Sequence, residues 1–403
     1  MDEEQSHLRE KVSLLKFSCI STLLLFPTIL GRTPFVACFK PYLQEKTHLN
    51  DTQVSLAYTI GTLLASLLVP YIICNWWNRS SLRKVFQRIY YLFAGCFLCL
   101  IAITTYPCSV ALTFLILCGI FTGIRLCGQG GLPLCIRTLT ATLYDSKLCA
   151  WMASLHTTFP ILLIGVVTYL LAHTDALHQW HQIWWGAIIC LLLITLCIPR
   201  KLSSGLSYGV KSVGRYAWGL KDFPNQFKWG LAIIALHNFQ ATAISFHLSD
   251  FAIEQSIPLS DVYKLFLPIV ILELIFNPIC SWVVHKIKFN AVQVLSVTLI
   301  ASSISILYCS FPWGRCAVVV FCALGWSLSH VLSYSLPPLL LPKEQIPLGF
   351  ASFVGWTSLC SAISPYLYSA LTSLSESYMD TGKCMVIFNI LFWVPVIASR
   401  KDE

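Results

Sequence analysis

Residues 114–130 read Phe114-Leu115-Ile116-Leu117-Cys118-Gly119-Ile120-Phe121-Thr122-Gly123-Ile124-Arg125-Leu126-Cys127-Gly128-Gln129-Gly130. The apolar character around them extends over 109–135, more than the roughly 20 residues a helix needs to cross the hydrocarbon core of a bilayer. One arginine stands in the middle. An ionised side chain at that depth costs several kcal/mol, from about 2.5 upward, unless it faces a cavity or a partner. The stretch therefore predicts a membrane-spanning helix that turns Arg125 away from lipid.

Working outward, twelve runs of comparable length and apolarity can be marked: 15–38, 52–74, 86–106, 109–135, 149–171, 183–199, 229–251, 262–284, 290–310, 316–340, 347–371 and 382–398. Several meet at very short connections, so neighbouring helices run antiparallel. The expected fold is an all-α integral membrane protein of about twelve transmembrane helices. The longest internal connection lies near the middle of the chain. It carries Arg200, Lys201, Lys211, Arg215, Lys221 and Lys228 against the single acid Asp222. This predicts an N-terminal six-helix half over 1–199, a cytoplasmic basic linker over 200–228 and a C-terminal six-helix half over 229–403.

Composition gives the same class independently. Of 403 residues, 56% are apolar and 11% charged, and the mean hydropathy is +0.71. A soluble protein of this size could not cover its surface with so few charges. The net charge of +9 would suit a nucleic-acid binder only if the basic residues clustered on a soluble face. They sit between apolar runs instead, so no nucleic-acid partner is expected, and the bilayer is. With the N-terminus placed inside, most Lys and Arg fall on the cytoplasmic side, and the opposite side holds only Lys40, Lys46, Arg315 and Lys383. That asymmetry predicts that both termini are cytoplasmic, in a plasma or inner membrane. The opening Asp2-Glu3-Glu4 and the length of the first apolar run argue for a retained span rather than a cleaved signal peptide.

Most of the 18 cysteines lie inside apolar runs and read as small packing residues. Cys96 and Cys99 have a C-x-x-C spacing but apolar flanks. His173, His178 and His181 lack cysteine or clustered acids around them. Neither group predicts a metal site. The chain contains no G-x-S-x-G, no phosphate loop and no H-E-x-x-H, so neither an enzyme nor a pump driven directly by ATP is expected, and no cofactor.

Charged residues inside spans carry the functional reading. Arg125 offers a planar fork that matches a carboxylate through two parallel hydrogen bonds. Gly128 and Gly130 beside it would let a neighbouring helix or a ligand approach closely, and Gln129 adds a polar contact. The alternative for Arg125 is a packing role through Glu273 or backbone carbonyls. Arg32 lies in the first span beside Pro34 and either lines a cavity or reaches the interface. Glu273 is the single acid deep inside a span, flanked by Ile271, Leu272, Leu274 and Ile275. It reads as a proton carrier or as the partner of Arg125, Arg32 or Lys264. Lys264 follows Asp261 by three positions and could pair with it on one helix face. His237, His247 and His330 read first as hydrogen-bonded packing residues. Asn50-Asp51-Thr52 has the pattern of a glycan acceptor in an outer loop.

Three stretches carry a family resemblance. Gly31-Arg32 followed by Phe39 and Pro41, the segment Gln53-Val54-Ser55-Leu56-Ala57-Tyr58 followed by Gly61-Thr62, and Arg125-Leu126-Cys127-Gly128-Gln129-Gly130 resemble the major facilitator superfamily, and within it the monocarboxylate-transporter-like branch. The superfamily's loop between its second and third helices is present only in degenerate form. Asn78, Arg79, Arg83 and Lys84 keep its basic character without its Asp and glycines, which leaves Arg79 as the gating residue to expect there. The resemblance implies a central cavity between two halves, alternating access, and a small organic anion as substrate, moved by proton symport or by exchange. On that reading Arg125, Arg32 and Gln129 hold a substrate carboxylate, Glu273 couples protons, and Gly128 and Gly130 serve helix packing. Two rivals are a transporter of another solute, such as an amino acid, and a non-transporting membrane scaffold or receptor.

Overall fold

The computed structural model describes residues 14–145 without 107, parts of 148–166, then 179–198, 219–286 without 255, 257 and 258, and 314–387 without 379, 385 and 386. The described residues are helical throughout, without a strand. The helices are α1 (Leu14–Leu25), α2 (Thr33–Thr47), α3 (Asp51–Arg79), α4 (Leu82–Thr105), α5 (Val110–Arg125), α6 (Leu132–Leu143), α7 (Trp180–Cys197), α8 (Asn225–Glu254), α9 (Leu259–Lys286), α10 (Gly314–Leu340) and α11 (Ile346–Ser375). At about 1.5 Å per residue, the 29 residues of α3 outreach the roughly 30 Å hydrocarbon layer. Seven of the described segments, counting α1–α2 and α5–α6 as one each, are long and apolar enough to cross a membrane. Their outward faces carry leucine and isoleucine, such as Leu115 at 65% and Leu196 at 76% exposed, as expected where lipid is the solvent. The expected span 290–310, most of 149–171 and 382–398, residues 200–218 of the expected linker, His173, His178 and the side chain of Lys264 lie outside the described residues.

Two expected spans differ from the structure in an informative way. The first, expected over 15–38, is interrupted. A 3-10 turn over Phe26–Gly31 follows α1, Arg32 is extended at φ −82°, ψ 149°, and α2 continues to Thr47. Pro27 opens the 3-10 turn and Pro34 sits in the first turn of α2, where a missing N–H costs nothing. The fourth, expected over 109–135, continues to Leu143 through a π segment at Leu126–Gly131. The wider turn leaves the N–H of Leu132 bonded to the carbonyl of Cys127, five residues back, so side chains before and after it do not keep the register of a plain α-helix.

The two irregular segments meet. A Cβ placed on Gly31 would stand 2.7 Å from Gly128 Cα and 2.8 Å from Ile124 O, so backbone rests on backbone and only glycine fits at either position. Nearby packing fixes the corner. Tyr90 of α4 donates its hydroxyl to Leu24 O at 2.6 Å. Phe35 and Phe39 of α2 meet Trp180 and Trp184 of α7 edge to face at centroid distances from 5.5 to 6.0 Å, a favoured aromatic geometry. His48, at φ 56°, closes α2. A capping box then opens α3. Asn50 accepts from Gln53 N at 2.8 Å and the Gln53 side chain accepts from Asn50 N at 2.9 Å. The Gln53 of the sequence pattern thus has a local structural reason.

Candidate functional site

A cavity of about 180 Å³ lies where the 3-10 turn, the π segment and α6 face α8, α9, α10 and α11. Arg32, Gln129 and Gly128 border it from the N-terminal helices, and Glu273 borders it from α9. The break before α2 explains the position of Arg32: an extended residue between two helical segments can send its side chain sideways into the space the break opens. The side chain of Arg32 has no hydrogen bond or ion pair among the described residues, while its backbone N–H donates to Ile29 O at 2.9 Å. Glu273 is fully buried at 0% exposure, and neither of its carboxylate oxygens has a hydrogen-bond partner there. Arg32 and Glu273 are near enough to act on each other through charge without forming a direct ion pair. A fully buried carboxyl with both oxygens unsatisfied is a costly arrangement, of the kind retained where protons or solutes are handled.

Arg125 does not border this cavity, though it shares a neighbouring crevice with Gln129. It is 2% exposed, and its Nη1 donates to Gly31 O at 2.9 Å and to Thr33 Oγ1 at 3.3 Å. Thr33 is in turn bonded to the Tyr58 hydroxyl at 2.8 Å, and the guanidinium lies 5.1 Å from the Tyr58 ring centroid. The helix break leaves the carbonyl of Gly31 without a helical donor, and Arg125 supplies one. The crevice beside it, shared with Thr62, Ser66 and Gly130, leaves no room for a water-sized solute. Of the two readings open for Arg125 in sequence, contact with backbone carbonyls is the one this geometry matches. Gly130 packs against Val69 with no space for a side chain. Arg79 ends α3 on the exposed surface.

Two groups of charged residues escape a sequence reading. Arg137 sits two residues beyond the expected end of the fourth span, inside α6, and lines the cavity. Its guanidinium lies 4.4 Å from the ring centroid of Tyr334 on α10 and 6.0 Å from that of Phe353 on α11. His237 and His330 line the same space. The second group stands away from the cavity, where α2, α3 and α8 converge. Lys40 is fully buried and forms ion pairs with Asp51 and with Asp250, the latter at 2.6 Å. His247 Nδ1 contacts the same Asp250 oxygen at 2.8 Å, and its Nε2 meets Pro365 O at 2.8 Å. Ligand atoms of Asp51, His247 and Asp250 lie within 4.8 Å of one another, the spacing of a metal site, but the Lys40 ammonium already serves both carboxylates. Lys40 and Asp250 are 210 positions apart, so no local pattern announces their pairing.

A family model described as Major Facilitator Superfamily matches residues 22–365. No curated protein matches the chain in sequence. Among solved structures, the chain is similar to the human organic anion transporter MFSD10 (TETRAN), with a TM-score of 0.70 and 13% identity over 94% of this chain and 97% of that one. It is also similar to a POT family transporter in complex with a thioalcohol-conjugated peptide, at TM-score 0.69 and 14% identity over 95% and 96% of the two chains. The nucleoside transporter NupG gives 0.66 and 13% over 96% and 99%. Identities this low establish the common fold.

Proposed function

Because this chain belongs to the major facilitator superfamily of membrane transporters, we propose that the solute it carries is a small organic anion, held in the cavity by a carboxylate at Arg32 with Gln129 beside it. One observation supports this above others: a guanidinium borders a solute-sized space with no hydrogen bond or ion pair from the described protein. The fork of donors is therefore available to a planar carboxylate. Glu273 takes up and releases the proton that accompanies or replaces the anion. The helices before and after the 200–228 connection act as two halves that rock about the cavity, with both termini on the cytoplasmic side of a plasma or inner membrane. Arg125 holds the helix break in place behind Arg32, and the Gly31–Gly128 contact sets the distance between them.

Hydroxyl and amide groups of Asn238, Ser329, Thr357 and Ser358 also border the cavity, which suits a neutral polar solute as a second reading. Uptake into proteoliposomes of a labelled panel of small carboxylates, amino acids and sugars, with and without an inward proton gradient, separates the two. Saturable carboxylate uptake that falls about 100-fold in Arg32→Gln, equivalent to about 2.7 kcal/mol, is the expected outcome. Uptake confined to neutral solutes, or unchanged in the variant, would remove the anion reading.

A further inference from the structure

The Arg137 guanidinium lies against the rings of Tyr334 and Phe353, which attract its charge but do not take the fork of N–H donors that a carboxylate would. The Arg137 guanidinium has no hydrogen bond or ion pair among the described residues, and its Nε is buried without a partner. Arg137 and Arg32 border one cavity, so the space holds two guanidinium groups that the protein does not neutralise by direct contact.

The charge balance sharpens this. Glu273 is the one acid among the described cavity-lining residues, and it forms no ion pair with either arginine. His237 and His330 can only add positive charge. Ionised, Glu273 leaves the lining with an excess of at least one positive charge; carrying a proton, it leaves two. A solute with a single carboxylate engages one fork and strands the other in a low-dielectric space, which is expensive.

We propose that Arg137 forms a second anion-binding position in the cavity and that the solute is a small organic acid with two acidic groups, one at Arg32 and one at Arg137. The inference rests on the reading of the cavity as an anion site and narrows its substrate class. A volume of about 180 Å³, below the roughly 300–1,000 Å³ of pockets for drug-sized ligands, keeps the acid short. Tyr334 and Phe353 orient Arg137 from α10 and α11, so a solute bound there also ties the N-terminal helices to the C-terminal ones.

The test offers the full-length protein in proteoliposomes a labelled four-carbon dicarboxylate, its monomethyl ester and the four-carbon monocarboxylate. The parent is expected to take up the diacid with at least about a tenfold advantage in half-saturation over the monoester, the worth of one further charge-assisted contact. Arg137→Gln should erase that advantage, lowering diacid uptake relative to monoester uptake by about tenfold, and Arg137→Lys should retain part of it. If the Arg137 variants do not fold, the ratio measured on the parent alone still decides. A monoester carried as well as the diacid overturns the proposal, as does an Arg137→Gln protein that loses both in equal proportion. If the parent moves none of the three anions, the anion reading of the cavity falls with it. If it moves the monocarboxylate and prefers it, only the second position falls.

Discussion

Lys40 and Arg32 are both cations inside the helical bundle, eight residues apart in the chain, and the protein treats them in opposite ways. Lys40 is given two carboxylates, and one of those, Asp250, is further held by His247. Arg32 and its neighbour Arg137 border a cavity and are given no direct counter-ion, although an acid, Glu273, lies in the same space with both oxygens free. Where a protein neutralises its own buried charge, the charge holds structure together. Where it leaves charge of both signs unpaired around a void, the missing partners arrive from outside.

The comparison is most strongly tested by breaking the paired side. Lys40→Met leaves Asp51 and Asp250 facing each other without their cation, and breaking a buried pair in this way costs about 3–5 kcal/mol. Thermal unfolding of the detergent-purified protein should show it as a large loss of stability, and a stability within about 1 kcal/mol of the parent would mean that the pairing is marginal.

A third buried cation lies between the two cases. Arg125 is bonded to Gly31 O and Thr33 Oγ1 and lines no space that admits a solute. Arg125→Met removes the donor for a buried carbonyl and should destabilise by about 1–3 kcal/mol. Any anion affinity measured on the folded fraction should stay close to that of the parent. A variant that is stable but blind to the anion would move Arg125 into the binding role.

The smallest stability effect is expected at the unpaired side. Glu273→Gln removes a charge that has no ion-pair partner to lose, so unfolding should change by less than about 1 kcal/mol in either direction. Its effect should appear in the coupling: uptake in the variant should no longer respond to an imposed proton gradient. A gradient response equal to that of the parent would place proton handling elsewhere, with His237 and His330 next in the cavity wall.

Among the described residues the spans were legible in the sequence, because a bilayer demands long apolar runs. Arg32, Glu273 and the Gly128-Gln129 pair stood out because charge and flexibility are rare in such runs. Arg137 did not, since it follows the last apolar residues of the fourth span closely enough to resemble a loop cation. Only the continuation of the helix through the π segment carries it into the cavity wall. The Lys40 cluster was hidden for another reason: Asp250 reaches Lys40 only through tertiary packing, and each residue alone looks like an ordinary charge near a helix end.

The Lys40 cluster also divides cleanly. Lys40 and Asp51 belong to the N-terminal helices, while Asp250, His247 and the carbonyl of Pro365 belong to the C-terminal ones. A motion that drew α8 away from α2 and α3 would cut the Lys40–Asp250 ion pair and lift the Phe246 ring off Lys40 and Tyr58. Lys40 would leave with an acid of its own, and Asp250 with an imidazole of its own. The seam can part without orphaning a charge on either lip.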